Sequence, residues 1–101
     1  KGAPVGVQFD MANPIVAGED VLDLFAKVRD RIGYVHANDA KTKGTFEFCV
    51  IGTGLAPIRE VLAGLRGQGY DGWIGIEEAS RTGEEGFRRS VEFMRRALAD
   101  L

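Results

Sequence analysis

The sequence predicts an α/β fold built from three consecutive βα units whose strands run parallel. Three observations carry this. Three short apolar runs, Val5-Gly6-Val7-Gln8-Phe9, Ile32-Gly33-Tyr34-Val35 and Trp73-Ile74-Gly75-Ile76, have the length and character of strands. Each is followed by a segment whose apolar residues recur at helical spacing. Each ends at or near a chemically useful side chain: Asp10, His36 and Glu77. Strands alternating with helices make a parallel sheet with right-handed crossovers, and in such sheets chemistry collects at the C-terminal strand ends.

Strand one is expected over Val5 to Asp10. Val5, Val7 and Phe9 form its apolar face, and Gly6, Gln8 and Asp10 the other. Met11 to Gly18 is a loop broken by Pro14 and Gly18. A helix is expected from Glu19 to about Arg31. Its stripe is Val21, Leu24, Phe25, Val28 and Ile32, its first turn is acidic, and Gly33 lies just past its end. Strand two covers Tyr34 to Asn38, with Tyr34 and His36 on one face and Val35 on the other. Asp39 to Leu55 reads as a long polar loop. Pro57 suits the first position of a helix that runs to about Arg66 and buries Ile58, Val61, Leu62 and Leu65. Gly67, Gly69 and Gly72 lead into strand three, Trp73 to Glu77, in which Ile74 and Ile76 oppose Trp73, Gly75 and Glu77. After a loop from Ser80 to Gly83, the last helix is expected from about Glu84 to Leu98, with Phe87, Val91, Met94 and Leu98 as its core stripe.

One face of each strand is apolar and suited to lie under helices. The other becomes small or polar toward its C-terminal end. A doubly wound sheet, covered on both sides, reads apolar on both faces, so an arc of a barrel fits better. A complete eight-unit barrel takes about 250 residues, and these 101 residues make a little over a third of one. Such an arc leaves two parallel strand edges unpaired, which invites association between copies. The opening Lys1-Gly2-Ala3-Pro4 has no signal-peptide apolar core and runs straight into a strand, as expected of a chain that begins mid-protein.

Bulk properties narrow the function classes. The net charge of -2 gives no support for a general nucleic-acid or membrane surface. No apolar run nears the roughly 20 residues of a membrane span. The single Cys49 cannot form an internal disulfide, so a reducing, cytoplasmic setting is the default. Cys49 has no neighbouring nucleophile motif and reads as inert.

An acid, an imidazole and a second acid brought together at strand ends make a site for a hard divalent metal, of the kind used for metal-assisted proton transfer or hydrolysis. Plainer roles stand beside this. Asp10 is also a good turn cap, His36 a good hydrogen-bonded core residue, and Glu77 a strand-end carboxylate that needs a partner. Glu78 points to the opposite face from Glu77 and reads as structural. Asp39 orients either His36 or the loop that follows it. Gly52-Thr53-Gly54 before a helix is either a phosphate cradle or a plain turn. Trp73 is either barrel core or a platform for a sugar ring, and Lys41 and Lys43 belong to a solvated loop.

Taken in order, Phe9-Asp10-Met11-Ala12-Asn13-Pro14, Gly18-Glu19-Asp20, Tyr34-Val35-His36-Ala37-Asn38-Asp39-Ala40, Ile51-Gly52-Thr53-Gly54 and Gly69-Tyr70-Asp71-Gly72-Trp73-Ile74-Gly75-Ile76-Glu77-Glu78 resemble the C-terminal part of the xylose isomerase-like sugar phosphate isomerase/epimerase superfamily. The resemblance runs through almost the whole chain. It implies the sixth, seventh and eighth units of a TIM barrel. It also implies a divalent metal (Mn²⁺, Mg²⁺, Co²⁺ or Zn²⁺) held by Asp10, His36 and Glu77, with a further glutamate supplied by an earlier strand. Where many relatives carry a histidine three residues after the aspartate, this chain has Asn13, which can hydrogen-bond a sugar hydroxyl but is a poor metal ligand. The apurinic-site endonuclease branch is similar around His36-Ala37-Asn38-Asp39. Its second zinc pair falls here on Phe46 and Phe48, which disfavours a nuclease.

The resemblance implies a small carbohydrate substrate and a parent enzyme that moves a proton beside a carbonyl through an enediolate. Glu77 would be one acid/base and the upstream glutamate the other. The segment alone is then expected to be inactive. A different class of reading makes it a non-catalytic fragment that persists as a homo-oligomer through its strand edges.

Overall fold

The computed structural model describes residues 6–101, so the expectations for Lys1 to Val5 lie outside it. In chain order the elements are β1 (Val7–Asp10), α1 (Asn13–Val16), α2 (Val21–Val28) with a 3₁₀ turn (Arg29–Arg31), β2 (Ile32–Ala37), β3 (Asp39–Ala40), β4 (Phe48–Cys49), α3 (Ile58–Gly67), β5 (Trp73–Ile76) and α4 (Gly83–Ala99). The main sheet has the order β1-β2-β5, and both pairings are parallel. Its topology is the expected run of three βα units. Among the described residues no helix is long and apolar enough to cross a membrane.

Alternation along the strands sorts the two faces. Phe9, Val35 and Ala37 are buried beneath the helices, whereas Gln8 is exposed and Tyr34 and His36 are half-buried on the opposite, open face. The core lies between the sheet and the helices. Phe9 meets Phe25 edge-on at 5.5 Å between ring centroids, and Met11, Ile15, Ile51, Val61, Leu62 and Leu65 close around them. The expected stripe of α3 is buried in full.

Helix boundaries follow local hydrogen bonding. Asp20 is the cap of α2 rather than part of it, because its carboxylate accepts the Asp23 N–H at 2.9 Å. The α-helix stops at Val28, three residues short of the expected end, and Ile32 pairs with Val7 in the sheet instead of extending the helical stripe. Arg29 ties this end to α3: its Nη2 donates to the Gly64 carbonyl at 2.9 Å, and its guanidinium lies 5.0 Å from the centre of the Phe25 ring.

Two features of the loops differ from expectation. The segment after Asp10 contains the single-turn α1, and the long polar loop contains the antiparallel ladder of β3 and β4. Neither is long enough to carry a readable periodicity.

The packing of α4 also corrects the sequence reading. Its buried face is Gly86, Ser90, Met94 and Ala97, while Phe87 and Leu98 are 50% and 44% exposed. The cause is close approach. The Ile51 N–H donates to Ser90 Oγ at 3.1 Å, and a Cβ on Gly52 would overlap the Phe93 ring, while Gly86 is closed in by Thr82 at the start of its own helix. Gly86, Ser90, Met94 and Ala97 face the body of the molecule and Phe93 packs partly buried against it, while Phe87 and Leu98 lie outside.

Candidate metal centre

The site is assembled by strand register. Asp10 is paired with His36 across β1 and β2, and His36 is paired with Gly75 across β2 and β5. Glu77 lies two residues beyond Gly75 on the same face. Its N–H donates to the Ala37 carbonyl at 3.0 Å and so extends the ladder past the end of β5. Parallel pairing therefore carries all three side chains to one end of one face.

Asp10 divides its carboxylate between two tasks. Oδ1 accepts the N–H groups of Ala12 at 3.1 Å and Asn13 at 2.8 Å, which turns the chain into α1. Oδ2 faces inward, 3.7 Å from His36 Nδ1. Glu77 Oε1 lies 3.8 Å from the same nitrogen. One donor atom from each of the three residues lies within 4.8 Å of the others.

Two further residues bind this group together. Gln8, on the open face of β1, places its Nε2 at 3.1 Å from His36 Nδ1. With the amide oriented this way, Nδ1 accepts this bond and its one lone pair meets Gln8. Asn38 donates from Nδ2 to Asp10 Oδ2 at 3.0 Å and to Glu77 Oε1 at 2.8 Å. Sequence reasoning assigned neither a role. The signal was present, since Gln8 shares the face of Asp10, and Asn38 continues the Tyr34, His36 alternation. Tyr34 supports the imidazole from the side, its ring edge-on to His36 at 5.2 Å. A Cβ on Gly75 would overlap the Tyr34 hydroxyl, so glycine there makes room for it.

The donor set suits a hard or borderline divalent ion. Ligand bonds of about 2.0–2.3 Å place two donors on one ion up to roughly 4.5 Å apart. The observed separations approach that range, and an ion at Nδ1 would displace the Gln8 amide from that nitrogen. Two carboxylates beside an imidazole make an oxygen-rich donor set whose negative charge a divalent ion offsets. Among the described residues neither carboxylate is paired with lysine or arginine; the arginine ion pairs join Arg59 to Asp100, and Arg88 to Glu85 and Glu92. Glu77 is half-exposed, with its side chain open to whatever lies over the sheet.

The other candidates make different contacts. Asn13 is exposed at the start of α1, and it is its backbone N–H that meets Asp10. Asp39 is buried and does not touch His36. Its carboxylate accepts four backbone N–H groups, from Ala40, Gly52, Gly54 and Ala56, each at 2.9 Å. It therefore organises the loop. Because the Gly52 and Gly54 amides are committed to Asp39, the Gly52-Thr53-Gly54 segment is a turn held from inside rather than a phosphate cradle. Glu78 caps its own loop by accepting the Ser80 N–H at 3.0 Å. Burial, the largest influence, pushes the Cys49 thiol above its ordinary 9.0, against a lowering contact from Thr53. That agrees with an inert cysteine. Trp73 is 77% exposed on the open face.

A parallel arc of three βα units with an acid, an imidazole and an acid at its strand ends fits a segment of a (β/α)₈ barrel. The family described as the xylose isomerase-like TIM barrel matches residues 3–97, and the chain belongs to that family. Two inosose dehydratases of Lacticaseibacillus casei, one of them from strain BL23, are each 28% identical in an alignment covering 72% of this chain and 30% of the relative. The chain thus spans about a third of the length of these curated relatives. The crystal structure of a xylose isomerase domain protein from Planctomyces limnophilus superposes with a TM-score of 0.82 at 23% identity, over 95% of this chain and 39% of the other. That likeness shows the fold.

Proposed function

We propose that the full-length protein is a metal-dependent sugar or sugar-phosphate isomerase or epimerase, and that this segment carries part of its active site. The observation that carries the reading is the convergence of Asp10, His36 and Glu77, with one donor atom from each within 4.8 Å of the others. Asp10 Oδ2, His36 Nδ1 and the Glu77 carboxylate would hold the ion. When bound, the ion would supply Lewis-acid polarisation of a substrate carbonyl and its neighbouring hydroxyl.

The remaining chemistry belongs to the chain. Glu77 would take the proton from the carbon beside the carbonyl and, in an isomerisation, return it to the neighbouring carbon, while delivery to the opposite face in an epimerisation would fall to another acid/base; its half-exposed carboxylate supports this role. Gln8, whose amide meets His36 Nδ1 at 3.1 Å, would give up that contact when the nitrogen takes the ion. A second acid/base would come from an earlier strand of the barrel. Relatives named for dehydration of an inosose support a carbohydrate-like substrate, and removal of a proton beside a carbonyl also begins the dehydration of a hydroxy ketone. The lone Cys49 and the weak net charge support a cytoplasmic setting and no nucleic-acid or membrane partner.

The test is exchange of substrate carbon-bound hydrogen with deuterated water, followed by magnetic resonance, using the full-length protein and a panel of ketoses and ketose phosphates. Exchange is expected to require Mn²⁺ or a related ion and to be lost in Glu77→Gln. Undiminished exchange after verified metal removal, or in Glu77→Gln, would overturn the proposal.

A second reading concerns the segment by itself: it associates with copies of itself and has no catalytic activity alone. The motivating observation is the open β5 side of the sheet, where Trp73 is 77% exposed, together with half-exposed Phe87 on α4. Sedimentation of the isolated segment is expected to show oligomers. A well-folded monomer at micromolar concentration would contradict it.

A further inference from the structure

Asn38 lies at the centre of the strand-end cluster and is 2% exposed. Its side-chain amide has two N–H groups and one carbonyl, and the structure uses all of them. Oδ1 accepts the Ala12 N–H at 2.8 Å. Nδ2 donates to Asp10 Oδ2 at 3.0 Å and to Glu77 Oε1 at 2.8 Å. The two carboxylates so joined have like charge and come from the two outer strands of the sheet. Like charges at this range repel, and no described lysine or arginine lies between them. A neutral double donor is what holds them in one place.

We propose that Asn38 is a positioning residue that sets the separation of Asp10 and Glu77, so that a divalent cation can be taken up beside His36 Nδ1. This rests on the metal-centre reading above. Asp10 Oδ1 is committed to the turn into α1, so Oδ2 is the oxygen left for the ion, and Asn38 fixes its direction. Glu77 has one oxygen on Asn38 and its other oxygen outside that bond. Other side chains fail for stated reasons. Leucine fills the space and offers no N–H. Aspartate brings a third negative charge and removes both donors. Glutamine is one methylene too long for a buried position with three contacts already made.

The experiment is calorimetric titration of Mn²⁺ into the metal-stripped full-length protein, wild type against Asn38→Ser and Asn38→Asp, with thermal melts of each. Positioning predicts a loss of affinity of about 10–100-fold in both variants. Asn38→Asp separates this from a purely electrostatic role, because an added negative charge alone would tighten cation binding. Affinity unchanged or raised in a variant that melts like wild type would overturn the positioning role and leave the metal centre standing. If Asn38→Asp does not fold, Asn38→Ser decides by the same criterion. Wild-type protein that takes up no Mn²⁺ would overturn the metal centre, and this inference with it.

Discussion

Asp10 and His36 are direct register partners across β1 and β2, and Asp10 Oδ2 lies 3.7 Å from His36 Nδ1. The candidate site is thus a consequence of strand pairing. A slip of one residue in either parallel ladder would send one of these side chains to the helix-covered face.

Replacing Asp10 separates its two tasks. Asp10→Asn retains an oxygen for the Ala12 and Asn13 N–H groups but removes the charge. Mn²⁺ affinity of the full-length protein is expected to fall roughly 100-fold or more, with stability changed by less than about 1 kcal/mol. Asp10→Ala is expected to lose the cap as well, about 1 kcal/mol further. Metal titration and denaturant melts of both variants check this. Equal affinity in wild type and Asp10→Asn would remove Asp10 from the ligand set.

Asp39 is expected to matter to the fold rather than to the ion. Removing a buried carboxylate that accepts four backbone N–H groups leaves those donors unsatisfied. Asp39→Ala is expected to cost about 3 kcal/mol or more. The amides of Gly52, Gly54 and Ala56 should also lose protection in hydrogen exchange. A variant with wild-type exchange at those amides would contradict the assignment.

Gly54 sits in the same cage. A Cβ there would lie 2.6 Å from both Asp39 Oδ1 and Cys49 Sγ and would overlap the Ala40 carbonyl. Backbone cannot yield as a flexible side chain can, so Gly54→Ala is expected to destabilise by about 1–3 kcal/mol. Gly67→Ala, where a Cβ meets nothing within 4 Å, serves as the control. Equal melting temperatures for the two variants would count against this packing.

Cys49 gives the pH dependence. Burial raises the folded thiol above 9.0, so the folded state holds its proton more tightly than the unfolded chain. The resulting stability is fully present below the unfolded value and is lost as pH rises through the folded one. Cys49 is partly exposed, so the effect is small. Alkylation of the folded protein is expected to be slow at pH 7–8, with an apparent midpoint above 9.0. A midpoint below that value would contradict the burial argument.

The three-strand frame and the Asp10, His36, Glu77 convergence were legible because strand alternation and strand ends are one-dimensional signals. The α3 stripe was legible for the same reason. The β3–β4 ladder and α1 were not, since two-residue strands and a single helical turn carry no period. The face of α4 was misread because hydropathy favours Phe87 and Leu98, whereas close packing selected Gly86, Ser90 and Ala97. Asp39 left open a choice between His36 and the loop, and only its contacts assign it to the loop.

On the proposal above, Asp10, His36 and Glu77 bind one ion together. Anomalous scattering from crystals of the full-length protein soaked in Mn²⁺ tests it most directly. One strong peak is expected about 2.0–2.3 Å from Asp10 Oδ2, His36 Nδ1 and a Glu77 carboxylate oxygen. Well-ordered side chains with no peak between them, or a peak held by other residues, would contradict it.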